Sequence, residues 1–286
     1  MIRRNFLRNT MISTAGVLGN WFNALTLDDN RRFKIGACDW SIGQRGKMEA
    51  FNVAKTLKLD GLQISFRVTD IDPLLERTSI RSDFQQRSKT TGIAIGSLAL
   101  GLLNEYPYKS DPRTQQWVID SIETAKAMDV KVVLLAFFGN GDLKDDSEGR
   151  QEVINRLKVA GPIAEKAGVI LGIESWLSAR EHVEIMEEVG SPNIKVYYDV
   201  ANSHKMGYDI YDEIRWLGKD RICEFHAKEN GYLLGQGNID LKEVRSAIDD
   251  IGYEGWIQIE GALPQSADLM ESYVKNVRIM REVFNT

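Results

Sequence analysis

Several residue types are scarce in this chain, and each scarcity closes off a class of protein. There are two cysteines in 286 residues, Cys38 and Cys223, too few for a disulfide-built scaffold. No stretch reaches the ~20 apolar residues of a membrane span. Basic charge does not dominate: 36 Lys and Arg against 41 Asp and Glu leave −5. Residues 1–32 hold five arginines and two aspartates, so without them the remainder carries −8. An acidic body argues against sequence-independent nucleic-acid binding, which needs basic surface. Histidines number three, few for a multi-histidine zinc cluster. There is also no linker, low-complexity segment or second domain.

What is present is ordinary globular composition, 43% hydrophobic and 27% charged, with ample length for a full core. Four consecutive apolar runs each end in a polar residue: VILGIE at Glu174, IKVYYD at Asp199, ICEFH at His226 and WIQIE at Glu260. The gaps of 25, 27 and 34 residues are each about one strand–loop–helix–loop unit. That rhythm belongs to a parallel sheet with crossover helices, whose strand ends share one rim. Alone, any of the four reads as a polar group at the solvent boundary. Together, two carboxylates of glutamate, one of aspartate and an imidazole can hold a divalent metal or move protons between carbons of a substrate.

The earlier part of the chain continues the pattern. Strands are expected near 34–38, 61–66, 93–100 and 130–138. Helices are expected near 48–57, 82–91, 114–128 and 150–167, with Pro162 bending or splitting the last. Further helices fall near 179–188, 208–217, 241–251 and 267–284. Residues 33–286 make 254 positions, about 32 for each of eight units, which matches a single (β/α)8 barrel. Cys38 and Cys223 then lie on strands 1 and 7. These stand about two ~4.8 Å strand spacings apart, too far for a disulfide, so both read as buried thiols.

Residues 1–32 are a different object. Arg3-Arg4-Asn5-Phe6-Leu7-Arg8 resembles a twin-arginine export signal, and a moderately apolar run, Met11 to Leu25, follows it. No clean A-x-A cleavage site precedes Leu27. The expectation is periplasmic delivery, with a cytoplasmic protein carrying an amphipathic N-terminal helix as the alternative.

Five segments carry a family likeness: Gly172-Ile173-Glu174-Ser175-Trp176, Tyr197 to Ser203, Phe225-His226-Ala227-Lys228, the turn Leu234 to Asp240, and Ile259-Glu260-Gly261. In this order they resemble the sugar phosphate isomerase/epimerase superfamily, the xylose isomerase-like barrels, over about residues 33–286. The resemblance implies that Glu174, Asp199, His226 and Glu260 ligate one divalent metal ion, and that Glu174 and Glu260 also form the acid/base pair. Carboxylates with one imidazole suit Mn²⁺, Mg²⁺ or Co²⁺, with Zn²⁺ a further candidate. Epimerases of the group often place a substrate-binding histidine three positions after the metal aspartate. Here that position is Asn202, and the nearby histidine is His204.

Other candidate contacts come from position alone. Lys228 lies two residues after His226, on the same strand face if the strand persists; it reads as a substrate contact or a rim salt bridge. Trp40 and Trp176 follow strands 1 and 5 and could stack on a sugar ring or pack loops. Asn202 and His204 could contact substrate or lie in solvent. His182 reads as part of a solvated helix face. The expected activity is a metal-dependent sugar isomerase or epimerase working through an enediolate. The alternative is a metal-dependent dehydratase or lyase on a keto-sugar or inositol derivative. The expected partner is a small carbohydrate, with no nucleic acid; a homo-oligomer is left open.

Overall fold

Strands such as Val-Val-Leu-Leu-Ala-Phe at 132–137 are buried along their whole length, because a parallel sheet wrapped by helices has no solvent face. The computed structural model describes residues 31–285. Within them β1 (Phe33–Cys38), β2 (Gly61–Ser65), β3 (Ala94–Leu100), β4 (Val132–Phe137), β5 (Ile170–Ser175), β6 (Ile194–Asp199), β7 (Ile222–Ala227) and β8 (Gly255–Ile259) pair in sequence order. The ring closes where β1 meets β8, from Phe33 opposite Gly255 to Ala37 opposite Ile259. Every pairing is parallel. The expected (β/α)8 barrel is therefore the fold.

The wall consists of α1 (Ala50–Thr56), α2 (Thr78–Thr91), α3 (Thr114–Met128), α4 (Ser147–Ala167), α5 (Ala179–Val189), α6 (Val200–Lys205), α7 (Ile210–Leu217), α8 (Leu241–Asp250) and α9 (Leu269–Phe284). Their starts are chemically marked. Ser178 and Glu181 form a reciprocal capping box on α5, and Asp209, Asp240 and Asp268 cap α7, α8 and α9. Each such cap satisfies amide groups that a helix start leaves unpaired.

Three details differ from the sequence reading. Helix α2 starts at Thr78, a turn earlier than expected. Helix α4 is one continuous element with Pro162 inside it, which excludes the split of the two expected outcomes. Pro162 and Lys158 are both exposed, on the solvent side of the helix, where a missing backbone bond costs least. The short α6 was not foreseen. It starts directly at the end of β6 because Asp199 Oδ1 accepts hydrogen bonds from the Ala201 and Asn202 amides, both at 2.8 Å.

Part of the barrel interior beside β1 and β2 is filled by side chains of β8. A Cβ at Gly36 would stand 2.0 Å from Gln258 Oε1, and one at Gly61 would stand 2.4 Å from the Trp256 ring. Both positions are glycine because side chains of β8 occupy that space. Cys38 is buried, Cys223 is half-buried, and both are free thiols. Among the described residues no helix is long and apolar enough to cross a membrane. The twin-arginine segment Arg3–Arg8 lies outside the described residues.

Candidate metal centre

Strand register brings the four marked residues together. Asp199 on β6 pairs directly with His226 on β7, Glu174 is near the end of β5, and Glu260 follows β8. One ligand atom from each of Glu174, Asp199, His226 and Glu260 lies within 4.8 Å of all the others. His226 Nδ1 is the centre of the group. It stands 3.1 Å from Glu174 Oε1, 3.6 Å from Glu260 Oε2 and 3.8 Å from Asp199 Oδ2.

Each carboxylate is also held from outside the group. Glu174 Oε1 accepts from Asn202 Nδ2 at 3.3 Å. Glu260 accepts from the Trp40 indole at 3.0 Å and from Lys228 Nζ at 2.7 Å. Asp199 spends Oδ1 on the start of α6, while its Oδ2 is buried with no hydrogen-bond donor. A buried carboxylate oxygen without a donor is costly. It sits among three carboxylates faced by one ammonium, Lys228, 3.6 Å away. The donor set therefore fits a hard divalent cation, with carboxylate oxygens and one imidazole nitrogen.

Electrostatics divide the carboxylates. Burial raises Asp199, with Glu174 and Glu260 adding to the lift against the pull of Lys228. Burial pushes Glu260 the same way, yet the charges of His226 and Lys228, with hydrogen bonds from Lys228 and Trp40, hold it below the ordinary carboxylate range. For His226 burial favours the neutral ring, but Cys38, Glu174 and Glu260 lift it well above the usual value. Burial pushes Cys38 up to about 12. It stays a neutral thiol, so the carboxylates are the physical source of the His226 lift. Burial holds Lys228 back, but Asp199, Glu260 and Glu174 overcome it and raise its ammonium further.

Two of the four, Glu174 and Glu260, line a cavity of about 380 Å³, in the range of small-molecule sites. Trp40, Trp176, Asn202 and Lys228 line it with Glu174 and Glu260. His204 does not line it. His182 is the other departure. It is buried, with Nε2 3.0 Å from Ser175 Oγ and Nδ1 2.9 Å from the Ser178 carbonyl. It shares the inward stripe of α5 with Ala179 and Val183, at the i, i+3, i+4 spacing that marks a buried helix face.

Residues not singled out from sequence also line the cavity: Arg45, Ser65, Asn104 and Phe138 among them. Beneath it lie Gln63, Ser97 and Glu224, all buried. The usable signal was the two-residue period. Gln63 precedes Ser65, Glu224 precedes His226 and Gln258 precedes Glu260 by two positions, so each pair shares a strand face.

The comparisons agree with this architecture. Residues 51–283 match the family described as Xylose isomerase-like TIM barrel, and the chain belongs to that family. The 2-epi-5-epi-valiolone 7-phosphate 2-epimerase of Actinoplanes sp. is 24% identical over 225 residues, covering 75% of this chain and 82% of that protein. The D-psicose 3-epimerase of Enterocloster bolteae is 26% identical over 137 residues, 44% of this chain and 45% of the relative. The crystal structure of D-psicose 3-epimerase with D-tagatose from Clostridium cellulolyticum H10 superposes with a TM-score of 0.74 at 20% identity. It covers 88% of this chain and 99% of that one. At that identity the superposition speaks for the fold.

Proposed function

We propose that this protein is a divalent-metal-dependent sugar epimerase or isomerase that transfers a proton at a carbon beside a carbonyl, through an enediolate. The observation that carries the reading is the set of four donor atoms within 4.8 Å beside a cavity that two tryptophans also line. The epimerase names of the relatives support the reaction class. Glu174, Asp199, His226 and Glu260 would hold the ion. When bound, it would supply Lewis-acid stabilisation of negative charge developing on substrate oxygen.

The protein's own groups do the rest. Glu260 lines the cavity with its carboxylate held by Trp40 and Lys228, which places it to accept a proton. Glu174 projects from β5 and Glu260 follows β8, so the pair flanks the centre from two strands. One takes the proton and the other returns it. Lys228 keeps Glu260 oriented, and Trp40 and Trp176 present apolar faces on which the C–H face of a sugar packs. Asn202 fixes the Glu174 rotamer through Oε1.

The test is deuterium exchange. The Mn²⁺-loaded protein is incubated with a panel of ketoses and keto-sugars in D₂O. Incorporation at a carbon adjacent to the carbonyl, with inversion or carbonyl migration, is the expected result. Net loss of water or of a glycosidic group would move the assignment to a lyase. No exchange with any panel member, in protein that holds the ion, would count against proton transfer.

A further inference from the structure

The face of His226 turned away from the carboxylates is as organised as the face turned toward them. Its Nε2 lies 2.8 Å from Gln63 Oε1. Gln63, on β2, is fully buried. Its amide nitrogen donates to Ser97 Oγ at 3.1 Å and to Tyr197 Oη at 3.0 Å. Its oxygen also accepts from the Cys38 thiol at 3.2 Å. Two donated and two accepted bonds use the full capacity of a primary amide.

Both hydroxyls are committed in turn. Ser97 Oγ donates to Glu224 Oε2 at 2.8 Å, and Tyr197 Oη donates to the same oxygen at 2.9 Å. Each hydroxyl has one hydrogen. Burial raises Glu224 to about 7; with its carboxylate ionised and both hydroxyl hydrogens on it, each hydroxyl can only accept from Gln63. The amide therefore has one orientation. Turned over, its NH₂ would face the Cys38 thiol donor, and its oxygen would face hydroxyls with no hydrogen left to give. In a buried layer that leaves several polar groups unmet at once. Direction passes from Glu224 through two hydroxyls to Gln63 and on to His226, across β7, β3, β6 and β2.

We propose that Gln63, oriented by Ser97, Tyr197 and Glu224, is the positioning residue that keeps a proton on His226 Nε2 and so presents the Nδ1 lone pair to the divalent ion. This rests on the metal centre argued above and extends it to residues below the ligand set. Partners of this kind commonly change metal affinity 10- to 100-fold. A layer that merely filled the core would alter stability without deciding which ring nitrogen carries hydrogen.

The test uses the full chain labelled with [¹⁵N]histidine and loaded with Zn²⁺, a diamagnetic probe. Three histidines give three ring patterns in a long-range ¹H–¹⁵N spectrum, and the His226→Gln variant assigns the one that matters. In the parent, His226 should show a protonated Nε2 and a metal-bound Nδ1. Gln63→Leu should lower Zn²⁺ affinity about 10- to 100-fold and lose the slowly exchanging Nε2 proton. Gln63→Glu keeps an acceptor opposite Nε2 but sets an oxygen against the two hydroxyls, so the Nε2 proton should persist while the melting temperature falls. Thermal melts show whether each variant is folded. Should Gln63→Leu fail to fold, Ser97→Ala/Tyr197→Phe carries the same test. It leaves Gln63 in place but frees its amide, and a mixed His226 pattern with weaker Zn²⁺ binding is expected. The parent's pattern and affinity in folded Gln63→Leu, or in the double variant, would overturn the proposal. A parent that takes up no Zn²⁺ would overturn the metal centre itself, a result distinct from the first.

Discussion

The two halves of the cavity are made of opposite chemistry. On the β5–β8 side Glu174, Asn202, Lys228 and Glu260 line it, with Asp199 and His226 in the same cluster of donor atoms. On the β3–β4 side stand Ala99, Leu134, Ala136 and Phe138, and the first three belong to a small apolar cluster with Val132 and Tyr197. One half concentrates charge where proton chemistry needs it. On the other, the strand side chains form no hydrogen bond and shape the space, while Asn104 and Glu105 add polar groups from the segment after β3. An apolar wall also lowers the local dielectric, so each charge opposite it acts more strongly than in water.

The sharpest way to break this division is to remove the base function on the charged side alone. Glu174→Gln and Glu260→Gln keep an oxygen ligand but not the base. Turnover in each should fall about 10²–10⁴-fold, with folding intact by circular dichroism and substrate still bound by calorimetry. Turnover within a few-fold of the parent in both would place the base elsewhere.

The apolar side should respond in stability instead. Leu134 is about 1% exposed. Leu134→Ala should cost about 2–5 kcal/mol by denaturant unfolding while leaving divalent-ion affinity nearly unchanged. A large drop in affinity would show that the halves are not separable.

A pH titration of stability sharpens the picture on the charged side. Burial pushes His182 down from 6.5 to about 4. It is neutral in the folded protein, while the unfolded chain protonates it near 6.5. Its contribution is complete above pH 6.5 and is lost as pH falls from there through about 4. That loss is on the order of 3 kcal/mol. A folded His182→Gln variant should show a flatter stability profile across this window, measured by urea midpoints, and an unchanged slope would remove His182 as the cause. The smallest effect is expected at the join between the halves. Trp40→Phe deletes one hydrogen bond to Glu260, and kcat should drop about tenfold, as suits one bond to a charged group.

The same contrast explains what could be read from sequence. Glu174, Asp199, His226 and Glu260 were visible because each is a polar residue that ends an apolar run, and a chemical break of that kind survives in one dimension. Ala99, Leu134 and Ala136 were invisible as cavity wall. In strands buried on both faces, an inward alanine and an outward one look alike. Gln63 and Glu224 lay in between: polar inside apolar strands, yet two residues from a rim position rather than at the end of a run. The eightfold rhythm made the barrel legible. Helix α6 was not legible, because its start depends on Asp199 capping amides two and three residues on, a local contact with no periodicity behind it. His182 was misread because charged neighbours on α5 hid its place on the buried stripe.

Anomalous diffraction tests the central claim most directly. Crystals of the full chain grown with Mn²⁺ should give one strong anomalous peak per chain at the Mn absorption edge. It should lie within bonding distance of Glu174, Asp199, His226 and Glu260, and vanish in Asp199→Ala. No peak there, or one that persists unchanged without the Asp199 carboxylate, would contradict the account.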